Sequence, residues 1–392
     1  MTLILLVIFI ALVFTYINGF HDTANSIATV VATKVLTPRQ AVMLAAFTNL
    51  VGAFFGTAVA ATIASGLVDA QVATMPVLCC ALVAAIFWSL LTWWFGLPSS
   101  SSHALVGGLC GAVLAVSGNR WSAIIWSIPG KDHWWQGKGI LWKVIVPMIA
   151  SPLVGLLAGF LVMGLLYFLL RNWRPVTVNR TFGKLQLLSA GYMGFAHGTN
   201  DAQKTMGIIT LALVVATKAG LLATAPAWLG WLQTPEGTPA GYLTPVSWCI
   251  THLPVWLQFG YHPPVLDPKN QFIPAWITVL CALTMCAGTA AGGWRIIKTL
   301  GHKMVRLHPV HGFAAETTSA TVLFTAAHFG MPVSTTHAVT TSIMGVGCAK
   351  GFNHLRLSVV ERIVWAWILT IPASGGAAYI LVKLAQMVGW IP

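Results

Sequence analysis

Two stretches of this chain set hydroxyl side chains in tandem, "GLPSSSSHALVG" (Gly96–Gly107) and "GMPVSTTHAVTT" (Gly330–Thr341). In each, the hydroxyls precede an apolar run, so they sit where a helix begins. Ser and Thr there cap free backbone N–H groups, and the positive end of the helix dipole points outward. Ser100, Ser101 and Ser102 from one stretch, with Ser334, Thr335 and Thr336 from the other, make a cage of hydroxyl and amide donors. Such donors suit a tetrahedral oxyanion such as phosphate or sulfate, and without full charges they also let it leave again. One such stretch alone reads as a helix cap or a packing surface; two matched stretches point to a binding site. His103 and His337 follow the hydroxyls in register, although a lone histidine is more often a hydrogen-bonding structural residue.

A second pair of motifs carries charge. "GFHDTANS" (Gly19–Ser26) aligns with "GTNDAQKT" (Gly198–Thr205), which puts Asp22 on Asp201 and Asn25 on Lys204. A charge at the bilayer midplane costs roughly 2.5–3.5 kcal/mol on insertion scales, so a carboxylate there is usually functional. Asn25 lies three residues after Asp22, on the same helical face, and can offer a carbonyl to a cation. Asp22 and Asn25 are therefore a candidate coupling-ion, proton or metal site. Asp201 can be neutralised within the protein by Lys204, whereas Asp22, with only Asn25 nearby, calls for a mobile cation. Glu316 is a further acid in an apolar segment, on a candidate proton or ion path. His21, Thr23, Asn200 and Gln203 flank the motifs. The bland alternative is that these polar residues hold a broken helix together.

The surrounding composition says what must position these residues. The 392 residues are 57% hydrophobic and 7% charged, with mean hydropathy +0.80, where a soluble domain is about a quarter charged. Long apolar runs recur from end to end, so the chain reads as an all-α polytopic membrane protein. The expected spans are Leu3–Val35, Gln40–Ala64, Val72–Phe95, Ile140–Leu170, Lys184–Thr217, Phe272–Trp294, Gly312–Phe329 and Arg362–Val388. The first and fifth should be broken at their motifs. Ala104–Ser117 and Ala338–Ala349 are short of the roughly 20 residues a span needs and read as returning legs of re-entrant hairpins, for about 10–12 membrane segments in all. The start of the chain lacks a basic region and reads as an uncleaved first span. The net charge of +13 lies in loops between apolar runs, not in a stripe with interleaved aromatics, so nucleic acid is excluded as a partner. The seven cysteines form no C-x-x-C pair, and no disulfide framework or zinc site follows.

Basic residues orient the spans. Arg171, Arg174, Arg180 and Lys184 mark one cytoplasmic loop, Arg295, Lys298, Lys303 and Arg306 another, and Lys350, Arg356 and Arg362 a third. The Pro-, Gly- and Trp-rich segment 223–271 belongs outside, as do both termini; Arg120, Lys131 and Lys138 weakly violate the rule. On this reading residues 1–170 form one repeat, 171–184 a short linker and 185–392 a second repeat of inverted topology, with one hairpin entering from each side. Inverted repeats bind substrate and ions near the midplane, where broken helices from the halves meet. A secondary transporter is the leading class.

At these residues the chain resembles the inorganic phosphate transporter (PiT) family over essentially its whole length. The family's duplicated G-x-N-D-x-A-N signature is matched as "GFHDTAN" and "GTNDAQK", and its P-x-S-[ST]-[ST]-H hairpins as "PSSSSH" and "PVSTTH". The resemblance implies proton-coupled uptake of phosphate across the cell inner membrane, often as a neutral complex with Mg2+ or another divalent metal. It implies no resident cofactor, and that Asp22, Asn25, Asp201 and the two hydroxyl clusters line the site. His21 replaces the first signature asparagine in one copy and Lys204 the second in the other; Lys204 removes an oxygen ligand expected of sodium-coupled members, which puts sodium coupling in doubt, and the long intracellular loop of some relatives is absent.

Three alternatives stay open: a sulfate permease, a sodium-coupled permease of the same fold, and a membrane hydrolase using Ser, His and Asp. A hydrolase needs one asymmetric constellation, and this sequence offers two near-copies. Buried charges argue against a channel. The expected partners are phosphate, a coupling cation and the lipid bilayer; a homodimer is left open.

Overall fold

The computed structural model describes residues 1–65, 67–130, 137–222, 232, 273–305, 307–351 and 355–391. Most of the segment 223–271, with Cys249 and Lys269 in it, and Lys131 and Arg306 lie outside the described residues. Twelve α-helices run through what is described: α1 (Thr2–Ala32), α2 (Pro38–Gly52), α3 (Ala58–Ser65), α4 (Met75–Trp94), α5 (Ser101–Val116), α6 (Val146–Leu170), α7 (Pro175–Lys218), α8 (Ala275–Ala291), α9 (Trp294–Lys298), α10 (Pro309–His328), α11 (Thr335–Lys350) and α12 (Leu357–Met387). Among the described residues four stretches are long and apolar enough to cross a membrane: α1, α4, Leu141–Leu170 with its initial π turn, and α12. The pair α8–α9, bent by 57°, makes a fifth. The rest fall short for visible reasons: α5 and α11 have 16 residues each, α2 and α3 are halves of one interrupted run, α7 carries the polar motif, and the 20 residues of α10 include Glu316 and a run of Thr and Ser. The chain is an all-helical membrane protein.

Both hydroxyl stretches form helical hairpins, α4 to α5 and α10 to α11. The turns are alike because the same residue types meet the same backbone demand. Gly96 and Gly330 close α4 and α10 with φ of 64° and 63°, the left-handed region that glycine enters without a Cβ penalty. A proline follows two residues later, and the next helix starts on a hydroxyl cap. Ser100 Oγ accepts from His103 N at 3.2 Å, and Ser334 Oγ accepts from His337 N at 3.1 Å.

Small residues set how these pieces approach. Helix α5 lies on α12 so closely that a Cβ on Gly111 would stand 2.0 Å from Gly375 O. Helix α11 lies on α6, with Gly345 at the corresponding 2.1 Å from Leu156 O. Each hairpin thus packs against the last helix of the other half. Motif helix α1 packs on α8, where a Cβ on Gly288 would meet Tyr16 O at 2.2 Å; α7 packs on α2, where one on Gly198 would meet Asn49 O at 2.2 Å.

Three expectations need correction. Helices α1 and α7 are continuous through their motifs. No proline interrupts either motif, and their polar side chains bond back onto the helix without opening it: Thr23 Oγ1 donates to Gly19 O at 2.6 Å and Gln203 Nε2 to Thr199 O at 2.7 Å. The interruptions fall in the neighbours instead, between α2 and α3 at Gly56 (φ 88°) and between α8 and α9 at Gly292 (φ 71°). Gln40–Ala64 is therefore not one span. The linker 171–184 is shorter than expected, because Pro175, suited to a first helical position, already starts α7.

Candidate functional site

The four motifs converge. Asp22 and Asp201 are both buried, and one carboxylate oxygen of each and a ring nitrogen of His197 all lie within 4.8 Å of one another. Each acid is tied to a hairpin tip. Ser101 Oγ donates to Asp22 Oδ2 at 2.9 Å, and Thr335 Oγ1 to Asp201 Oδ2 at 3.5 Å. Thr336 Oγ1 also lies 3.5 Å from Asp22 Oδ1. Asn25 joins the first motif to the second hairpin, its Nδ2 donating to Thr335 Oγ1 at 3.2 Å and Thr336 Oγ1 at 3.0 Å. Its Oδ1 is buried with no hydrogen-bond partner.

The tips also hold each other. Ser102 Oγ donates to Val333 O at 3.2 Å, and Thr336 Oγ1 to Ser99 O at 2.9 Å. These two bonds occupy equivalent positions in the two hairpins. Asn200 Nδ2 donates to Val333 O at 3.0 Å. His21 Nε2 lies 3.3 Å from Thr92 Oγ1, which is 2.7 Å from Ser99 Oγ. The rings of His103 and His337 meet edge to face at 4.8 Å, and Trp367 stacks on His337 at 4.0 Å while donating to Pro98 O at 3.0 Å.

The charges are met from within the protein more fully than the sequence suggests. Lys204 Nζ lies 2.5 Å from Asp201 Oδ1, as the three-residue spacing predicts, and is fully buried. Asp22, expected to lack a protein partner, has His21 Nδ1 at 2.7 Å from its Oδ1. On Asp201, His197 Nε2 lies 3.4 Å from Oδ2, and its other nitrogen lies 3.1 Å from Asn49 Oδ1. With one lysine for two carboxylates, the cluster keeps an acidic excess unless a histidine or a bound cation offsets it. A buried charge is costly unless paired, so this excess is the feature that can attract a cation.

The other flanking candidates do different work. Gln203 Oε1 accepts from Val59 N at 2.9 Å and Ala60 N at 3.3 Å, satisfying the first amides of α3 after its interruption. Thr23 bonds to main chain at Gly19 and at Thr289. Glu316 stands outside the carboxylate cluster. Its Oε1 accepts from Thr29 Oγ1 at 2.6 Å and Gln186 Nε2 at 2.9 Å, and its Oε2 from Ser189 Oγ. Two contributors were not singled out by spacing, Thr92 and Asn49. Each lies on a helix without a motif, and only the fold brings it in. His197 was legible as a residue one turn before Asp201, but its place in the acid cluster was not.

Chemically, this is a donor-rich seat beside two acids, built from both halves of the chain. A sequence model of the phosphate transporter family matches residues 18–378. The chain belongs to the phosphate transporter family. Similar relatives include a probable low-affinity inorganic phosphate transporter of Mycobacterium tuberculosis (strain ATCC 25618 / H37Rv), 40% identical over 390 residues, which are 100% of this chain and 79% of that protein. A protein of the same description from Bacillus subtilis (strain 168) is 35% identical over 97% of this chain and 98% of its own length. Among solved structures, the sodium-dependent phosphate transporter superposes with a TM-score of 0.74 over 99% of this chain and 100% of that one, at 22% identity. That likeness shows the fold. Family membership also bears out the expectation of a non-enzymatic protein.

Proposed function

We propose that this member of the family is a secondary transporter that imports inorganic phosphate together with a cation across the inner membrane. The observation that carries the reading is the joining of Asp22 and Asp201 to hydroxyls of the two hairpin tips. Anion donors and cation ligands here are one hydrogen-bonded unit, so neither can be occupied without altering the other. Phosphate arriving at Ser101, Thr335 and Thr336 takes over hydroxyl donors that Asp22, Asp201 and the Ser99 carbonyl now engage. A cation then compensates the released carboxylates. Joint binding at a site shared by two hairpins is the requirement for symport by alternating access, with the hairpins entering from opposite faces and both termini extracytoplasmic.

The cation is a proton or a divalent metal travelling with phosphate. Lys204 supports this over sodium, because its ammonium already fills the position beside Asp201 that an oxygen ligand would need. A divalent ion carried as cargo would meet Asp22, His197 and Asp201 as ligands. Glu316 provides the path onward. Thr29, one turn after Asn25, leads to Glu316, then to Gln186, whose Oε1 accepts from Thr33 Oγ1 at 2.9 Å near the cytoplasmic end of α1.

The test is uptake of labelled phosphate by the purified protein in liposomes, with sulfate as competitor, choline replacing sodium, and an imposed proton gradient. Proton-driven uptake without sodium, inhibited weakly by sulfate, is the expected result. Uptake that requires sodium would remove the role given to Lys204, and preference for sulfate would replace phosphate as substrate.

A further inference from the structure

The site has two approaches, and they differ in chemistry. Equivalent positions can be counted from the glycines the motifs share, Gly19 with Gly198 and Gly96 with Gly330. On one approach Thr29, Glu316, Gln186 and Ser189 form the buried polar network just described. At the four equivalent positions of the other approach stand Ile208, Leu82, Val7 and Ile10. Every polar member has an apolar counterpart; Ile208, Leu82 and Val7 belong to one buried apolar cluster, and Ile10, partly buried, packs against it.

That cluster closes over Lys204. Ile208 is one turn beyond Lys204, as Thr29 is one turn beyond Asn25. Ile63, Leu67, Leu105 and Leu109 converge on it, and the space among them, Lys204 and Ser102 admits no water molecule. All five apolar side chains are at most 2% exposed. They come from separate bodies: Leu105 and Leu109 ride on hairpin leg α5, Ile208 on motif helix α7, and Ile63 and Leu67 on and just after α3. A constriction of this kind excludes ions by dewetting and needs no charged latch.

We propose that Ile63, Leu67, Leu105, Leu109 and Ile208 form an apolar gate over Lys204 that seals the site on the side away from Glu316. The gate opens when α5 moves against α7. The polar approach conducts protons or ions, while the apolar one stays dry until substrate is taken up. That the sealed side is the extracytoplasmic one rests on the topology proposed above.

The experiment places on the dry side the residue that its equivalent position carries. Ile208→Thr keeps a β-branched shape, and its hydroxyl can bond back to the preceding turn as Thr23 does; Ile208→Val is the apolar control. Proton entry without phosphate is followed with a pH dye trapped in liposomes containing the purified protein. A several-fold faster proton leak in Ile208→Thr, with Ile208→Val equal to wild type, is expected. Equal leaks in all three would overturn the gate. If Ile208→Thr does not fold, Leu109→Cys decides by its reaction with a membrane-impermeant thiol reagent, measured above the background of the native cysteines. Reaction only when phosphate and the coupling cation are present supports a gate; equal reaction with and without them refutes it. Labelling from the cytoplasmic face alone would refute the outward assignment but not the gate. Because the leak is read without phosphate, it stands even if the liposomes transport no phosphate, an outcome that would count against the proposed function alone.

Discussion

Ser101 Oγ donates to Asp22 Oδ2 across 2.9 Å, tying the tip of one hairpin to the acid of a motif helix 79 residues away in sequence. The equivalent pair in the other half, Thr335 and Asp201, stands at 3.5 Å. The same hydroxyl that should bind an anion therefore also stabilises a carboxylate. Removing it has two effects of opposite sign on phosphate: it deletes a donor, and it frees an acid that repels the anion less when protonated or metal-bound.

The deleted donor dominates at neutral pH. A hydrogen bond to a charged group contributes about 1.5–3 kcal/mol, so Ser101→Ala and Thr335→Ala should each raise the KM for phosphate roughly ten-fold or more. Uptake kinetics at matched expression measure this. A KM equal to wild type in either variant would take that hydroxyl out of the site.

Gln203→Ala should act on the fold instead of the chemistry. Gln203 accepts from two amides at the start of α3, and leaving a buried donor unsatisfied costs about 1–3 kcal/mol. Thermal unfolding in detergent should begin at lower temperature, with KM for phosphate close to wild type. Gln203→Glu retains the acceptor oxygens but brings a charge, so it should restore the cap only in part. A large KM change in Gln203→Ala, with unaltered unfolding, would move Gln203 into the site.

Glu316→Gln separates coupling from binding. The variant keeps the size of the side chain and an acceptor oxygen for Thr29 or Ser189, but loses the carboxylate that all three neighbours serve. Proton-driven accumulation of phosphate should fall while exchange of internal for external phosphate continues, because exchange needs no net proton movement. Equal loss of both activities would make Glu316 part of the binding or folding machinery.

The four motifs were legible because each places polar residues where hydropathy forbids them, and because each occurs twice. Their convergence followed from the repeat. The continuity of α1 and α7 was not legible, since polar residues in an apolar run look the same whether the helix breaks or bonds them to its neighbours. The real interruptions at Gly56 and Gly292 were hidden as well, because each stands four residues after another glycine, Gly52 or Gly288, and that spacing equally fits close helix packing. Gly52 and Gly288 do serve packing, each lying against a backbone carbonyl of the motif helix, whereas their partners turn the chain. The His21 bond to Asp22 was also hidden, because adjacent residues on a helix do not share a face, and only the side-chain rotamers bring ring and carboxylate together.

Lys204 bears the last prediction, which concerns the cation. Its ammonium is fully buried 2.5 Å from Asp201, and removing one partner of a buried pair is destabilising by roughly 3–5 kcal/mol because the other charge stays behind. Lys204→Asn leaves Asp22 and Asp201 as two close carboxylates without an ammonium, and adds a side-chain carbonyl where Asn25 has one in the other half. Proton-driven uptake should fall sharply. The added acidic excess should draw in a cation, and because the new ligand is a neutral oxygen, sodium is suited to it. Residual uptake should then rise when sodium replaces choline, whereas wild-type uptake should be indifferent to that exchange. Lys204→Met, which removes the ammonium without adding an oxygen ligand, should lose uptake and gain no response to sodium. Measuring all three proteins in liposomes at fixed ionic strength separates the outcomes. A sodium response in Lys204→Met equal to that in Lys204→Asn would assign the effect to the loss of charge alone, and wild-type uptake that depends on sodium would show that the ammonium does not stand in for the ion.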